Sequence, residues 1–202
     1  MMKVDMPGGP VNMSTPAPFG WPGGKQLLSQ RIVSLIPSHK TYVEPFAGAA
    51  SVFWAKSPSR VEVLNDIDPD LMRFYRNIGD VAKCNTLQVA RDWDGLKARR
   101  GMLEPCEFFS AVKCSFGQGG FERGQILYSP ECILGQPHFH KNLPEYQARL
   151  RKTKLHNSDW TQVVQQYDGP DTFFYLDPPY HNTSRRYGKG SADVLTSLAR
   201  IL

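Results

Sequence analysis

A chain of 202 residues, 41% of them apolar, is long enough for one domain with a buried core, or for one domain carrying a sizeable insertion. Lys and Arg number 24 against 19 acids, a net +5 with a pI near 9.0, which is compatible with a polyanionic partner without requiring one. No apolar run is long enough to span a membrane and Met1 to Pro18 holds no apolar leader core, so membrane insertion and secretion are disfavoured and a cytoplasmic protein is expected. Cys84, Cys106, Cys114 and Cys132 show no C-x-x-C pairing and no histidine at finger spacing; scattered reduced thiols are expected.

Residues 1–18, rich in Pro, Gly, Ser, Thr and Met, are expected as a loosely attached arm. Organisation begins at Phe19-Gly20-Trp21-Pro22-Gly23-Gly24-Lys25, a glycine-rich turn feeding a segment in which Leu27, Leu28, Ile32, Leu35 and Ile36 mark an apolar helical stripe, stopped by Pro37. Thr41 to Val43 is a strand candidate that runs into Glu44-Pro45-Phe46-Ala47-Gly48-Ala49-Ala50-Ser51, and a helix through Val52, Phe53 and Trp54 follows. The next strand is Val61 to Leu64, closed by Asn65-Asp66-Ile67-Asp68-Pro69, with a helix from about Asp70 to Ile78. Strand, glycine turn, helix, strand ending in acid is one βαβ unit, and a parallel doubly wound sheet is the economical α/β architecture.

From Trp93 to Arg149 the pattern is lost among glycines and prolines, which predicts a small, mainly helical or irregular subdomain inserted between sheet elements. His138 and His140 flank Phe139 as if on one strand face, without a third metal ligand. Between 97 and 154 stand ten basic residues and five acids, so the formal positive excess of the whole chain sits in this block, as a nucleic-acid partner would favour. The sheet resumes at Lys154 to Asn157, and a helix through Val163 and Val164 leads to Thr172-Phe173-Phe174-Tyr175-Leu176. That run reads as a buried central strand, ended by Asp177-Pro178-Pro179-Tyr180 because two prolines cannot continue a ladder. Asp177 is thereby left at the carboxyl edge, where open α/β sheets bind ligands. His181 to Gly190 reads as a basic flap, and a last helix through Val194, Leu195, Leu198 and Ile201 follows.

With these segments in place, the chain resembles the Dam-like (D12 class) DNA adenine-N6 methyltransferase family from about residue 19 onward. The resemblance rests on Trp21-Pro22-Gly23-Gly24-Lys25, on Val43 to Phe53 with its glycine loop, on Leu64-Asn65-Asp66-Ile67-Asp68, on Asn157-Ser158-Asp159-Trp160 and on Asp177-Pro178-Pro179-Tyr180. It implies a Rossmann-like catalytic domain over 19–92 and 150–202 and an inserted target-recognition subdomain over 93–149. Family members continue past the catalytic strand into further strands and helices, so the sheet is expected to be incomplete at the C-terminus. The family loop usually reads F-x-G-x-G-S, and Ala50 stands here where its last glycine would be, harmless only if its φ is negative.

The family chemistry assigns Asp177 and the Pro178 carbonyl as acceptors for the adenine amino protons, on a turn stiffened by Pro179, and Tyr180 as a stacking platform for the extruded base. S-adenosylmethionine is the implied cofactor, with Trp21, Lys25, Glu44, Pro45, Phe46, Gly48, Asp66, Asp159 and Trp160 as its candidate binding residues. An ordinary helix-start cap is the competing role for Asp66, and a cap with a core aromatic for Asp159 and Trp160. Lys113, Arg123, Arg151, Lys152, Lys154, Arg185, Arg186 and Lys189 are the DNA-contact candidates, most of them to phosphate. The resemblance thus implies a monomer acting on double-stranded DNA, and pairing with a restriction endonuclease is one role it would fit. The alternative is a truncated remnant that binds DNA or S-adenosylmethionine weakly and does no chemistry. N4-cytosine transfer shares the amine logic, but the Asp that opens the signature favours adenine.

Overall fold

A computed structural model describes residues 15–115, 132 and 136–178. Its centre is a parallel four-stranded sheet of β1 (Thr41–Glu44), β2 (Val61–Asn65), β3 (Thr153–His156) and β4 (Thr172–Phe174), in the order β3-β2-β1-β4. From β1 the chain steps outward through β2 to β3, then returns to place β4 on the other side of β1. The direction of winding therefore reverses between β1 and β4, and the crevice at that reversal, beyond the carboxyl ends, is where such sheets take ligands. The four-residue run β1 is shielded from water at Tyr42, Val43 and Glu44.

Alternation along the strands gives the sheet two different faces. Val43 and Val63, in register with one another, meet Phe174 and Val163 on one face, which is covered by α8 (Trp160–Tyr167). Tyr42, Leu64 and Phe173 face the other way, into a large aromatic core built with α2 (Ser51–Ala55) and α3 (Pro69–Arg76). Asp68 caps α3 by accepting from the N–H groups of Asp70 and Leu71, and Pro69 fills the first helical position, where a missing N–H costs nothing.

The 93–149 stretch contributes α5 (Trp93–Ala98), α6 (Pro105–Lys113) and α7 (Pro137–Leu150), after α4 (Thr86–Ala90). Phe108 and Phe109 of α6 and Phe139, Leu143, Tyr146 and Leu150 of α7 bury themselves in the same aromatic core as the sheet. His138 and His140 lie on a helix rather than a strand and point to solvent, while Phe139 between them is buried. The 4-3-4 spacing of the buried α7 residues is a helical stripe. Pro137 opens this helix and Pro144 sits within it, which disguises the stripe in the sequence.

Four further expectations need correction. The stripe at 27–36 is not one helical face: α1 covers only Ser29–Val33, Leu27 is 99% and Leu35 76% exposed, and Ile32, Val33 and Ile36 make the core contacts. A helix of five residues can present only one side to the core. Next, β4 is not central among the described strands; it is the edge neighbour of β1 and half-buried throughout. The cysteines are paired, Cys84 with Cys106 and Cys114 with Cys132, because helix packing brings together thiols that sequence spacing leaves apart. Finally, the end of the expected loose arm is docked, Thr15 bonding Glu145 and the Pro16 carbonyl accepting from Tyr146, just before Phe19, which is buried among Phe74, Tyr75 and Phe108 where the organised chain was expected to begin.

Candidate active site

Three strand ends converge on one cleft. Glu44 ends β1 and Phe46 and Gly48 follow it, Asp66 and Ile67 follow β2, and Tyr175, Asp177 and Pro178 follow β4; the Trp21–Lys25 turn closes the side. Its empty volume, open mouth included, is about 830 Å³. Residues that sequence reasoning did not assign also line it, Ile67 and Tyr175 among them. Period-2 alternation carries the signal for Tyr175: Phe173 and Tyr175 pack toward the aromatic core and Phe174 toward the opposite face, so Asp177 is next in the same series. The Tyr175 N–H bonds the Val43 carbonyl, extending the β1–β4 pairing up to the cleft.

The glycine loop is held from three sides. The Gly48 N–H donates to Asp66 Oδ2 at 2.9 Å, Tyr75 Oη donates to the Gly48 carbonyl at 2.7 Å, and the Ala47 N–H reaches the Asn65 carbonyl at 2.8 Å. At Gly48 φ is +47°, and a Cβ built there would fall 2.7 Å from Cδ1 of Trp21, so only glycine lets the loop and the indole approach this closely. Ala50 also has a positive φ, +53°, so the condition under which it would be harmless is not met. A left-handed alanine carries roughly 1 kcal/mol of strain.

Asp66 spans the loop and the β2 turn, accepting from Gly48 N and Asp68 N, while Asp68 supplies the α3 cap; the competing cap role thus belongs to Asp68. Burial pushes the Asp66 carboxyl up to about 6, against the opposing pull of those two N–H groups. Burial likewise raises Glu44 to about 7, although Tyr42 Oη and Phe53 N both donate to its carboxylate. Across the cleft, Lys25 Nζ pairs with Asp177 Oδ2 at 2.5 Å and donates to the Gly23 carbonyl at 2.8 Å. Two motifs 152 residues apart in the chain thereby meet in one ion pair.

Other candidates lie elsewhere. Pro45 stands behind the loop, its carbonyl accepting from Asn65 Nδ2, and that same amide bonds the Ser158 carbonyl, which ties the Asn157–Trp160 motif to the end of β2. Asp159 caps α8 by accepting from Thr161, and Trp160 is buried beside Phe46 with ring centroids 5.8 Å apart; neither lines the cleft. Among the DNA-contact candidates, Arg151 and Lys152 are exposed just before β3, at the amino ends of the parallel strands and hence at the edge away from the cleft. Lys154 lies over Tyr167 and Lys113 over Phe109. Pro179, Tyr180, Arg123, Arg185, Arg186 and Lys189 lie outside the described residues. No helix among the described residues is long and apolar enough to cross a membrane.

The model of the D12 class N6 adenine-specific DNA methyltransferase family matches residues 21–113 and 129–192. Type II methyltransferase M.CviBI of Paramecium bursaria Chlorella virus NC1A is 27% identical over 193 residues, covering 83% of this chain and 70% of that protein. Type II methyltransferase M.MjaIII of Methanocaldococcus jannaschii is 23% identical over 199 residues, 79% of this chain and 67% of that protein. The DNA adenine methylase of Escherichia coli K12 matches more locally, 40% identical over 72 residues, 36% of this chain and 25% of that protein. With its α/β parallel sheet and a family match over most of its length, the chain belongs to the D12 class N6 adenine-specific DNA methyltransferase family.

Proposed function

We propose that the chain binds S-adenosylmethionine in this cleft and methylates adenine N6 in duplex DNA. The observation that carries the reading is the convergence of Asp177 and Pro178 with the Phe46–Ala50 loop and Asp66 in a single crevice at the winding reversal. The residues suit such a cofactor. Gly48 and Trp21 form a cradle that a methyl group would fill, Lys25 suits a carboxylate, and Glu44 and Asp66 suit an ammonium and ribose hydroxyls. Phe46 and the 71% exposed Ile67 offer apolar surface for a planar ring.

The bound cofactor would supply a methyl group on a positively charged sulfur. Adenine N6 is a weak nucleophile because its lone pair is delocalised into the ring. Acceptors aimed at its two protons localise that pair and stabilise positive charge as it develops on nitrogen. Asp177 provides one acceptor and the Pro178 carbonyl the other, both on the segment that follows β4. A strong base is unnecessary, since the methylated nitrogen is acidic enough to lose its proton afterwards. Tyr180 is assigned to stacking on the extruded base. The 93–149 segment is assigned to target recognition, and the packing of α6 and α7 into the sheet's own core supports a fixed position for it.

The test is transfer of a labelled methyl group to unmethylated genomic DNA. The chain transfers label, and Asp177→Ala abolishes transfer while cofactor affinity changes far less. Normal cofactor binding with no transfer to any DNA would overturn the reading for this chain.

A further inference from the structure

Among the described residues lining the cleft, Lys25 is the one cation, while three carboxyl groups line it, those of Glu44, Asp66 and Asp177. Its position is imposed by the backbone. The Gly24 N–H closes a turn onto the Trp21 carbonyl at 2.8 Å, and a Cβ on Gly24 would come within 2.9 Å of that same oxygen. The turn directs Lys25 inward, where its ammonium meets Asp177 with both side chains about four-fifths shielded from water (18% and 22% exposed). Screening is weak there, so one ammonium cannot neutralise two carboxylates equally well.

This creates a conflict that the proposed chemistry must resolve. Asp177 has to offer a lone pair to an adenine amino proton, yet the strongest donor in the cleft already engages it. An anionic ligand entering a crevice lined by three carboxyl groups has Lys25 as its cationic partner there. We propose that Lys25 is a positioning residue serving both anions in turn. The carboxylate on the amino-acid tail of the methyl donor draws the ammonium away from Asp177, and Asp177 is thereby released to accept from N6. The inference rests on the cofactor reading above and adds an order to it: methyl donor first, adenine second, each favouring the other through one lysine. Occupancy of the donor site thus becomes the condition for a competent acceptor, which keeps Asp177 from holding an adenine when no methyl group is at hand.

The experiment compares two unreactive nucleosides by calorimetry: S-adenosylhomocysteine, which carries the amino-acid tail, and 5′-methylthioadenosine, which lacks it. Both are titrated into the wild type, Lys25→Ala, Asp177→Asn and the double variant. Lys25→Ala weakens S-adenosylhomocysteine about tenfold or more, the scale of a charge-assisted hydrogen bond, and leaves 5′-methylthioadenosine within about twofold. Asp177→Asn removes the competitor and tightens S-adenosylhomocysteine by roughly threefold to tenfold, a gain that vanishes in the Lys25→Ala background as coupling through one shared group requires. Binding of 5′-methylthioadenosine also reports that each variant is folded. The inference is overturned alone if both nucleosides bind and Asp177→Asn gives no gain, or gives the same gain without Lys25, which is a general charge effect. It is equally overturned if Lys25→Ala weakens both nucleosides alike. If the wild type binds neither nucleoside, the cofactor reading and this inference fall together.

Discussion

Replacing Gly48 by alanine tests whether the cleft depends on one close approach. The added methyl meets two penalties. Its left-handed backbone, φ +47°, costs a non-glycine residue about 1–2 kcal/mol. Its Cβ would also stand 2.7 Å from Cδ1 and 3.0 Å from Nε1 of Trp21, an overlap of the kind that costs about 1–3 kcal/mol in a packed site. The loop has little freedom to slip, because Asp66 and Tyr75 hold the Gly48 N–H and carbonyl. Trp21 must therefore give way, and it forms the wall beside Lys25. Urea unfolding should show a loss of about 2–5 kcal/mol, and S-adenosylhomocysteine binding should weaken at least about tenfold with a shift in tryptophan emission. Ala50→Gly is the internal control. It relieves similar backbone strain at φ +53° but removes a buried methyl worth about 0.8 kcal/mol, so the net change stays within about 1 kcal/mol. A Gly48→Ala protein that unfolds and binds like the wild type would refute the reasoning.

Three further outcomes follow from buried chemistry. Arg149 bonds Glu62 through two nitrogens and stacks over Phe53; burial pushes the Glu62 carboxyl up, but Arg149 and Lys56 outweigh it and hold it below the usual range. Arg149→Met should cost about 3 kcal/mol by chemical denaturation, and a change below about 1 kcal/mol would count against the buried pair. Because burial raises Glu44 to about 7, its folded form holds a proton that the unfolded chain releases, so stability falls as pH rises from the ordinary carboxyl range through about 7. Glu44→Gln keeps an acceptor for Tyr42 and Phe53 and should flatten that slope in melting curves; an unchanged slope places the titration elsewhere. The Cys84–Cys106 bridge closes a loop with a sequence separation of 22 residues, so Cys84→Ser with Cys106→Ser should lower stability by about 3 kcal/mol, and an unchanged unfolding midpoint contradicts the bond.

What could be read from residues alone was whatever a few neighbours decide. The β-branched and aromatic runs at 41–44, 61–65 and 172–174 form strands because their side chains suit a pleated, buried surface, and the glycine loop and Asp177-Pro178 follow their strands because glycine and proline end ladders. Asp68 before Pro69 marks a helix start through its own side chain. Helix α7 was legible in principle from Phe139, Leu143, Tyr146 and Leu150, but its prolines concealed the period.

The tertiary fold alone decided which distant groups meet. Lys25 against Asp177, Arg149 against Glu62, Tyr75 under the Gly48 carbonyl and the two cysteine pairs join segments with no local pattern in common. It also turned Leu27 and Leu35 to solvent, took Arg149 out of the basic surface, and set β4 beside β1 rather than beside β3. Local conformation is governed by torsional sterics and by bonds within a turn or two. Long-range pairing depends on how whole faces bury their apolar area, and many sequences with the same local signals could satisfy that in different arrangements.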